Sequence, residues 1–181
     1  MGNQSIIDNY IISPYILVMH LMKIQLICYI LFNFLLGRFP DSIQDIDGNT
    51  INLKELNTKG TVAVITMKSP DCPVCQTQIL RIIENFDKLS ACNVTFLVLS
   101  PGPEEKLQSA KEFTKFPFPF IVDEKLEIAH SLDLLLNETQ ILPSILILNE
   151  TLGVGWLQTV RNPLYFGDPE LMKRLKCEGW I

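Results

Sequence analysis

The sequence predicts an α/β domain, a three-layer arrangement of a mixed central sheet with helices on both faces, preceded by an N-terminal hydrophobic helix. Three observations carry this reading. Short apolar runs rich in β-branched residues recur at Val62–Ile65, Val94–Leu99, Phe120–Val122 and Ile145–Leu148, the pattern of strands buried on both faces. Segments of helical periodicity separate the first three, as connections between parallel strands require. The last run is followed closely by Gly155–Val160, which reads as its antiparallel partner.

Taken in order, residues 11–36 are almost wholly apolar, interrupted by Pro14, His20, Lys23 and Gln25. The stretch is long enough to cross a bilayer and lacks an Ala-x-Ala-like cleavage site, so an uncleaved signal anchor is expected, with a cleaved signal peptide as the alternative. Residues 1–38 thus form one segment and residues 39–181 one domain of ordinary size. Phe39 to Leu56 alternates about Asp47-Gly48 and reads as a β-hairpin leading into a short helix, with Asn57–Gly60 as a polar loop. Helices are expected after Pro73, over 104–113, over Leu126–Leu136, and over Asp168–Lys176 with Pro169 in the first turn.

With 15 basic and 20 acidic residues the formal charge is −5, and no basic stripe is present, which argues against a nucleic-acid partner. Four Asn-x-Ser/Thr sequons, at Asn3, Asn93, Asn137 and Asn149, favour a secretory or membrane-anchored location.

The chemistry concentrates at Cys72 and Cys75, a Cys-x-x-Cys pair among five cysteines. The run Val62–Ile65 delivers the chain to Ser69-Pro70-Asp71, which breaks the strand. Pro73 suits a first helical turn, and Ile79, Leu80, Ile82, Ile83 and Phe86 give the ensuing helix a buried face. Cys72 therefore sits at a helix N-terminus, where unpaired N–H groups and the positive dipole end stabilise a thiolate. Lys68 can add positive charge. Cys75, one turn on, can resolve a mixed disulfide formed at Cys72. The bland alternatives are a zinc half-site or two buried apolar thiols, but no second cluster of ligands at motif spacing accompanies the pair. No metal or organic cofactor is called for.

Residues 39–177 resemble the thioredoxin fold, and within it the redoxin branch that holds the peroxiredoxins and the membrane-tethered thiol:disulfide oxidoreductases. Ser69–Cys75 (SPDCPVC) resembles that branch's redox loop, Phe116–Leu134 its peroxiredoxin-type segment, and Ile141-Leu142-Pro143 the loop bearing its cis-proline. The resemblance implies that Pro143 follows a cis bond beside the cysteines and that the backbone of Leu142 pairs with a substrate chain. It also implies a hydroxyl donor at Ser69, and a peroxide-holding guanidinium for which Arg161 is the candidate. Two departures stand out. Ile65 occupies the position where peroxiredoxins carry a proline, and Asp71 replaces the aromatic residue thioredoxins place before the pair.

Three functions follow. The leading expectation is a thiol:disulfide oxidoreductase acting on protein disulfides with a reductase or oxidase partner. The alternative is a thiol peroxidase with Cys72 peroxidatic and Cys75 or Cys177 resolving. The third is a membrane-tethered binding module without turnover.

Overall fold

The computed structural model describes residues 18–25, 37–160 and 168–175. The chain divides into two units, Met1–Leu36 and Gly37–Ile181. In the first, residues 18–25 are helical with exposed side chains, and the rest of the apolar stretch 11–36 lies outside the described residues. No helix among the described residues is long and apolar enough to cross a membrane. Residues 18–25 rise only about 12 Å against a hydrocarbon core of roughly 30 Å, so they give the expected anchor no support.

In the second unit, β1 (Ser42–Gln44) and β2 (Thr50–Asn52) form the expected hairpin. The buried Asp45 carboxylate ties its turn by accepting the N–H groups of Asp47 at 3.0 Å and Asn49 at 2.7 Å. Gly48 holds φ at +83° there, a conformation side chains resist. Helix α1 (Leu53–Lys59) starts where the Asn52 side chain accepts the Glu55 N–H, an N-cap worth about 1 kcal/mol. It absorbs most of the segment expected as a polar loop at Asn57–Gly60.

The central sheet contains β3 (Thr61–Thr66), β4 (Val94–Ser100), β5 (Phe120–Val122), β8 (Ser144–Leu148) and β9 (Val154–Thr159), in the spatial order β5-β4-β3-β8-β9. Strands β3, β4 and β5 run parallel, while β8 is antiparallel to both β3 and β9. Alternation along each strand divides the core in two. Val62, Val64, Leu97, Leu99, Ile121 and Leu146 point to one face, where Leu53 of α1 and Ala129 of α5 (Glu127–Ser131) cover them. Ala63, Ile65, Phe96, Val98, Phe120 and Ile145 point to the other. There they meet Ile79 and Ile82 of α2 (Pro73–Glu84), Leu107 of α4 (Glu104–Thr114) and Leu171 of α6 (Asp168–Leu175). Each fully buried Leu, Ile or Phe contributes about 1.5–3 kcal/mol, so both layers are needed. A five-residue helix, α3 (Phe86–Ser90), follows α2.

The helix expected over Leu126–Leu136 is cut short. Helix α5 ends at Ser131, Asp133 takes φ +57°, and the Leu134 N–H closes on the Ala129 carbonyl at 2.8 Å. The chain then forms a second hairpin from β6 (Leu135–Asn137) and β7 (Gln140–Ile141). Leu134 and Ile141 are fully buried while Leu135 and Leu136 face solvent, so an apolar run that looks helical places its side chains by the demands of the sheet side of the core.

Candidate active site

Strand β3 ends at Thr66, and five loop residues later Cys72 forms the N-cap of α2 with Pro73 inside the first turn. The Cys72 sulfur is half-buried and accepts the Cys75 N–H at 3.4 Å. The Cys75 thiol, with no solvent exposure, donates to it across 2.6 Å. Cys75 in turn accepts the Lys68 N–H at 3.4 Å.

These contacts separate the two thiols chemically. The donated Cys75 S–H lowers the Cys72 pKa to about 6, with the N–H groups of Cys75 and Val74 and the Lys68 charge adding to the effect and burial opposing it. Cys75 moves the other way, upward, because its proton is held by Cys72 and its sulfur is buried. Shifts in these directions make Cys72 the thiolate and Cys75 the protonated partner at neutral pH.

Ser69 is in the loop, but its hydroxyl donates to the Asp71 carboxylate at 2.8 Å rather than to the cysteine. Asp71 also meets Lys106 of α4 at 3.0 Å. Ser69 and Lys106 together hold this exposed carboxyl below its usual range. Arg161 lies outside the described residues, as does Cys177. Cys92, after α3, is disulfide-bonded.

Leu142 and Pro143 connect β7 to β8 at the sheet end where β3 delivers the cysteine loop. The expected cis bond is absent: the cis peptide among the described residues is Gly102-Pro103, at the start of α4, and Leu142-Pro143 is trans. The loop is held instead by hydrogen bonds. The Leu142 N–H donates to the Leu134 carbonyl at 2.7 Å, the Leu142 carbonyl accepts the Thr66 hydroxyl at 2.6 Å, and the Pro143 carbonyl accepts the Val160 N–H at 3.0 Å. Ser144 completes the arrangement, its hydroxyl 2.7 Å from that of Thr66. The main-chain groups of Leu142 expected to pair with a substrate chain are therefore both occupied.

Thr66 and Ser144 escaped the sequence reading, although a signal was present. Each is a polar residue at an inward position of an otherwise apolar strand, TVAVIT and SILIL, and both are fully buried. A buried hydroxyl without a partner costs about 1–3 kcal/mol, so two such positions call for a mutual bond.

No curated protein sequence matches the chain. Solved structures do, at low identity. Peroxidoxin BcpB from Mycobacterium tuberculosis is 14% identical, with a TM-score of 0.66 over 76% of this chain and 92% of that one. A cysteine-to-serine mutant of PrxQ from Xylella fastidiosa is 16% identical, with a TM-score of 0.65 over 78% of this chain and 94% of that one. The reduced 2-Cys peroxiredoxin of Plasmodium vivax is 16% identical, with a TM-score of 0.62 over 77% and 93%. These likenesses establish the thioredoxin-like peroxiredoxin fold. The AhpC/TSA family model matches residues 38–156, from before β1 into the first half of β9 and including the cysteine pair, and the chain belongs to the AhpC/TSA family of redox-active cysteine oxidoreductases.

Proposed function

We propose that this protein is a thiol peroxidase in which Cys72 attacks the peroxide and Cys75 resolves the product. The observation that carries the reading is the closed main chain at Leu142. A protein disulfide bound beside the pair through backbone pairing needs a free N–H and C=O there, and both are bonded internally. A peroxide needs neither. The family and the peroxiredoxin names of the structural neighbours support the same choice.

In this reading the Cys72 thiolate attacks one peroxide oxygen. An S–O bond forms, the O–O bond breaks, and the departing hydroxide or alkoxide takes up a proton, leaving Cys72 as the sulfenic acid. The Cys75 sulfur, 2.6 Å away, then attacks the Cys72 sulfur and water leaves as the disulfide forms. The helix end helps by offering N–H groups to developing negative charge. Ser69 joins only if it turns from Asp71, and Arg161 is the proposed guanidinium donor. The thiol pair supplies both electrons, so no cofactor enters. A compartment oxidising enough to keep the Cys92 disulfide, on the secretory route its sequons suit, belongs to the same proposal.

The short sulfur separation also suits a second reading, thiol:disulfide exchange, because the pair closes without unfolding α2. Both are tested on the full chain by following peroxide consumption and the reduction of a disulfide-bonded polypeptide under one dithiol reductant. Peroxide turnover that is lost in Cys72→Ser and exceeds polypeptide reduction supports the peroxidase. Polypeptide reduction without peroxide turnover overturns it.

A further inference from the structure

We propose that Asn137, at the tip of the β6–β7 hairpin, is an acceptor for an N-linked oligosaccharide, filled in preference to Asn93 and Asn149. The inference rests on the secretory route proposed above and does not depend on which reaction the cysteines perform.

The motif by itself does not rank these sites. Asn137-Glu138-Thr139 and Asn149-Glu150-Thr151 are the same tripeptide, and Asn93-Val94-Thr95 satisfies the same rule. Their surroundings separate them. At the hairpin tip, residues 135–139 are all exposed. The Asn137 Oδ1 accepts the Thr139 N–H at 3.0 Å and the Thr139 hydroxyl at 3.2 Å, a local turn built on the asparagine side chain. The donated hydroxyl polarises the amide and makes its Nδ2 protons easier to remove. These contacts span two residues, so the tip can form them as the chain emerges, before the sheet exists. Nδ2 donates to the Gln140 Oε1 at 2.8 Å, a bond that one of its two protons satisfies.

The fold competes for the other two side chains. The Asn93 Nδ2 donates to the Lys59 carbonyl at 2.7 Å, and a Cβ on Gly60 would stand only 2.8 Å from that nitrogen. A sugar there would press on the junction of α1 with β3. Asn149 clasps the β8–β9 turn. Its Oδ1 accepts the Thr151 N–H at 2.9 Å, the Thr151 hydroxyl at 2.8 Å and the Gly153 N–H at 2.9 Å, while its carbonyl accepts the Asn57 side chain at 2.7 Å. Its Nδ2 is crowded by Gly153, where a Cβ would come to 3.3 Å.

The hairpin also has a use for a sugar. Strands β6 and β7 form a two-stranded sheet of their own, and Leu135 and Leu136 beside the tip are exposed. Open apolar strand edges invite pairing between copies. A bulky, hydrated group on Asn137 keeps another chain from that edge.

The co-reactant is a lipid-linked pyrophosphoryl oligosaccharide. A bond forms between the Asn137 Nδ2 and the anomeric carbon of the first sugar, and the bond from that carbon to the pyrophosphate oxygen breaks. The lipid pyrophosphate leaves with the electron pair, Nδ2 gives up one proton to a base of the transferase, and nothing is oxidised or reduced.

The test expresses the full chain in cultured mammalian cells, with its own N-terminus and, in parallel, with a cleavable signal peptide appended. Peptide-N-glycanase digestion reads the mobility shift, and digestion in heavy-oxygen water followed by peptide mass spectrometry marks each asparagine that carried sugar. The expected result is a shift in the chain with its own N-terminus that is lost in Asn137→Gln and Thr139→Ala. It should persist in Thr139→Ser, which keeps the hydroxyl, and in Asn93→Gln and Asn149→Gln. No shift in that chain, or sugar at Asn93 or Asn149 equal to or above that at Asn137, overturns the proposal. The signal-bearing chain then shows whether the route or the site failed. Peroxide turnover measured on the same protein bears on the peroxidase reading alone.

Discussion

Thr66 and Ser144 face each other in the β3–β8 register, and their hydroxyls meet at 2.7 Å with no solvent exposure, Thr66 also bonding the Leu142 carbonyl at 2.6 Å. Replacing Thr66 by Val keeps the shape and removes the shorter of the two hydroxyl bonds to the Leu142 carbonyl, leaving that of Ser144 at 3.2 Å. The expected loss is about 1–3 kcal/mol, because the carbonyl loses its stronger bond and the buried Ser144 hydroxyl loses its partner. Thr66→Ser, which keeps the hydroxyl and removes a methyl, should lose less than about 1.5 kcal/mol. Urea midpoints of the two variants check the order, and equal losses would mean that the methyl, not the hydrogen bond, stabilises this sheet end.

Alkylation should distinguish the two cysteines by pH. With its pKa lowered to about 6, Cys72 reacts with iodoacetamide at half its maximal rate near pH 6, while Cys75 stays unmodified there. Since the donated Cys75 thiol is the largest cause of the shift, Cys75→Ala should move the midpoint upward, toward the ordinary thiol value near 8.5. A midpoint unchanged by that substitution would put the helix end in charge instead.

The same shift makes the stability of the reduced protein depend on pH. A thiol whose folded pKa lies below its unfolded one is bound to fewer protons in the native state between those values, so stability rises with pH across the window. Relative to Cys72→Ser, the reduced protein should gain stability from about pH 6 to about pH 8.5 and lose that gain as pH falls through 6. Denaturant midpoints at both ends of the window, under reductant, measure the slope.

Phe96 belongs to an aromatic cluster, 5.9 Å from the Phe116 ring and 5.4 Å from Phe118, and is fully buried in the layer beneath α2. Phe96→Ala should cost about 3–5 kcal/mol. Lys115, by contrast, ends α4 with φ +54°, and Lys115→Gly should add about 0.5–1 kcal/mol by relieving that residue. Calorimetry on both variants checks the opposite signs.

The central strands were legible because burial on two faces leaves an uninterrupted apolar run, as at Val62–Ile65 and Val94–Leu99. The cysteine pair was legible because a strand, a breaking turn and Pro73 together define a helix start. What lay hidden depended on distant partners. Asp133 follows the end of α5 in a left-handed conformation that no spacing rule demanded, and Leu142 is held by hydrogen bonds to Leu134 and Thr66, residues of other elements. Ser69 had the right side chain at the right position, yet its proton goes to Asp71, a competitor two residues away.

The sheet that separates the two apolar layers also separates the supports of the site. The cysteine helix rests on the layer of Ile65, Ile79 and Phe96, while the strap of Leu134, Ile141 and Leu142 is anchored by the layer of Val64, Leu97 and Leu146. Strand β3 is the seam between them, carrying Thr66 on one side and leading to Cys72 on the other. A shift of either layer therefore registers as a misalignment between strap and thiol before the fold itself fails. Thiol labelling rates across a set of remote core substitutions would act as a gauge of shear between the layers, reading slippage that a melting curve does not resolve.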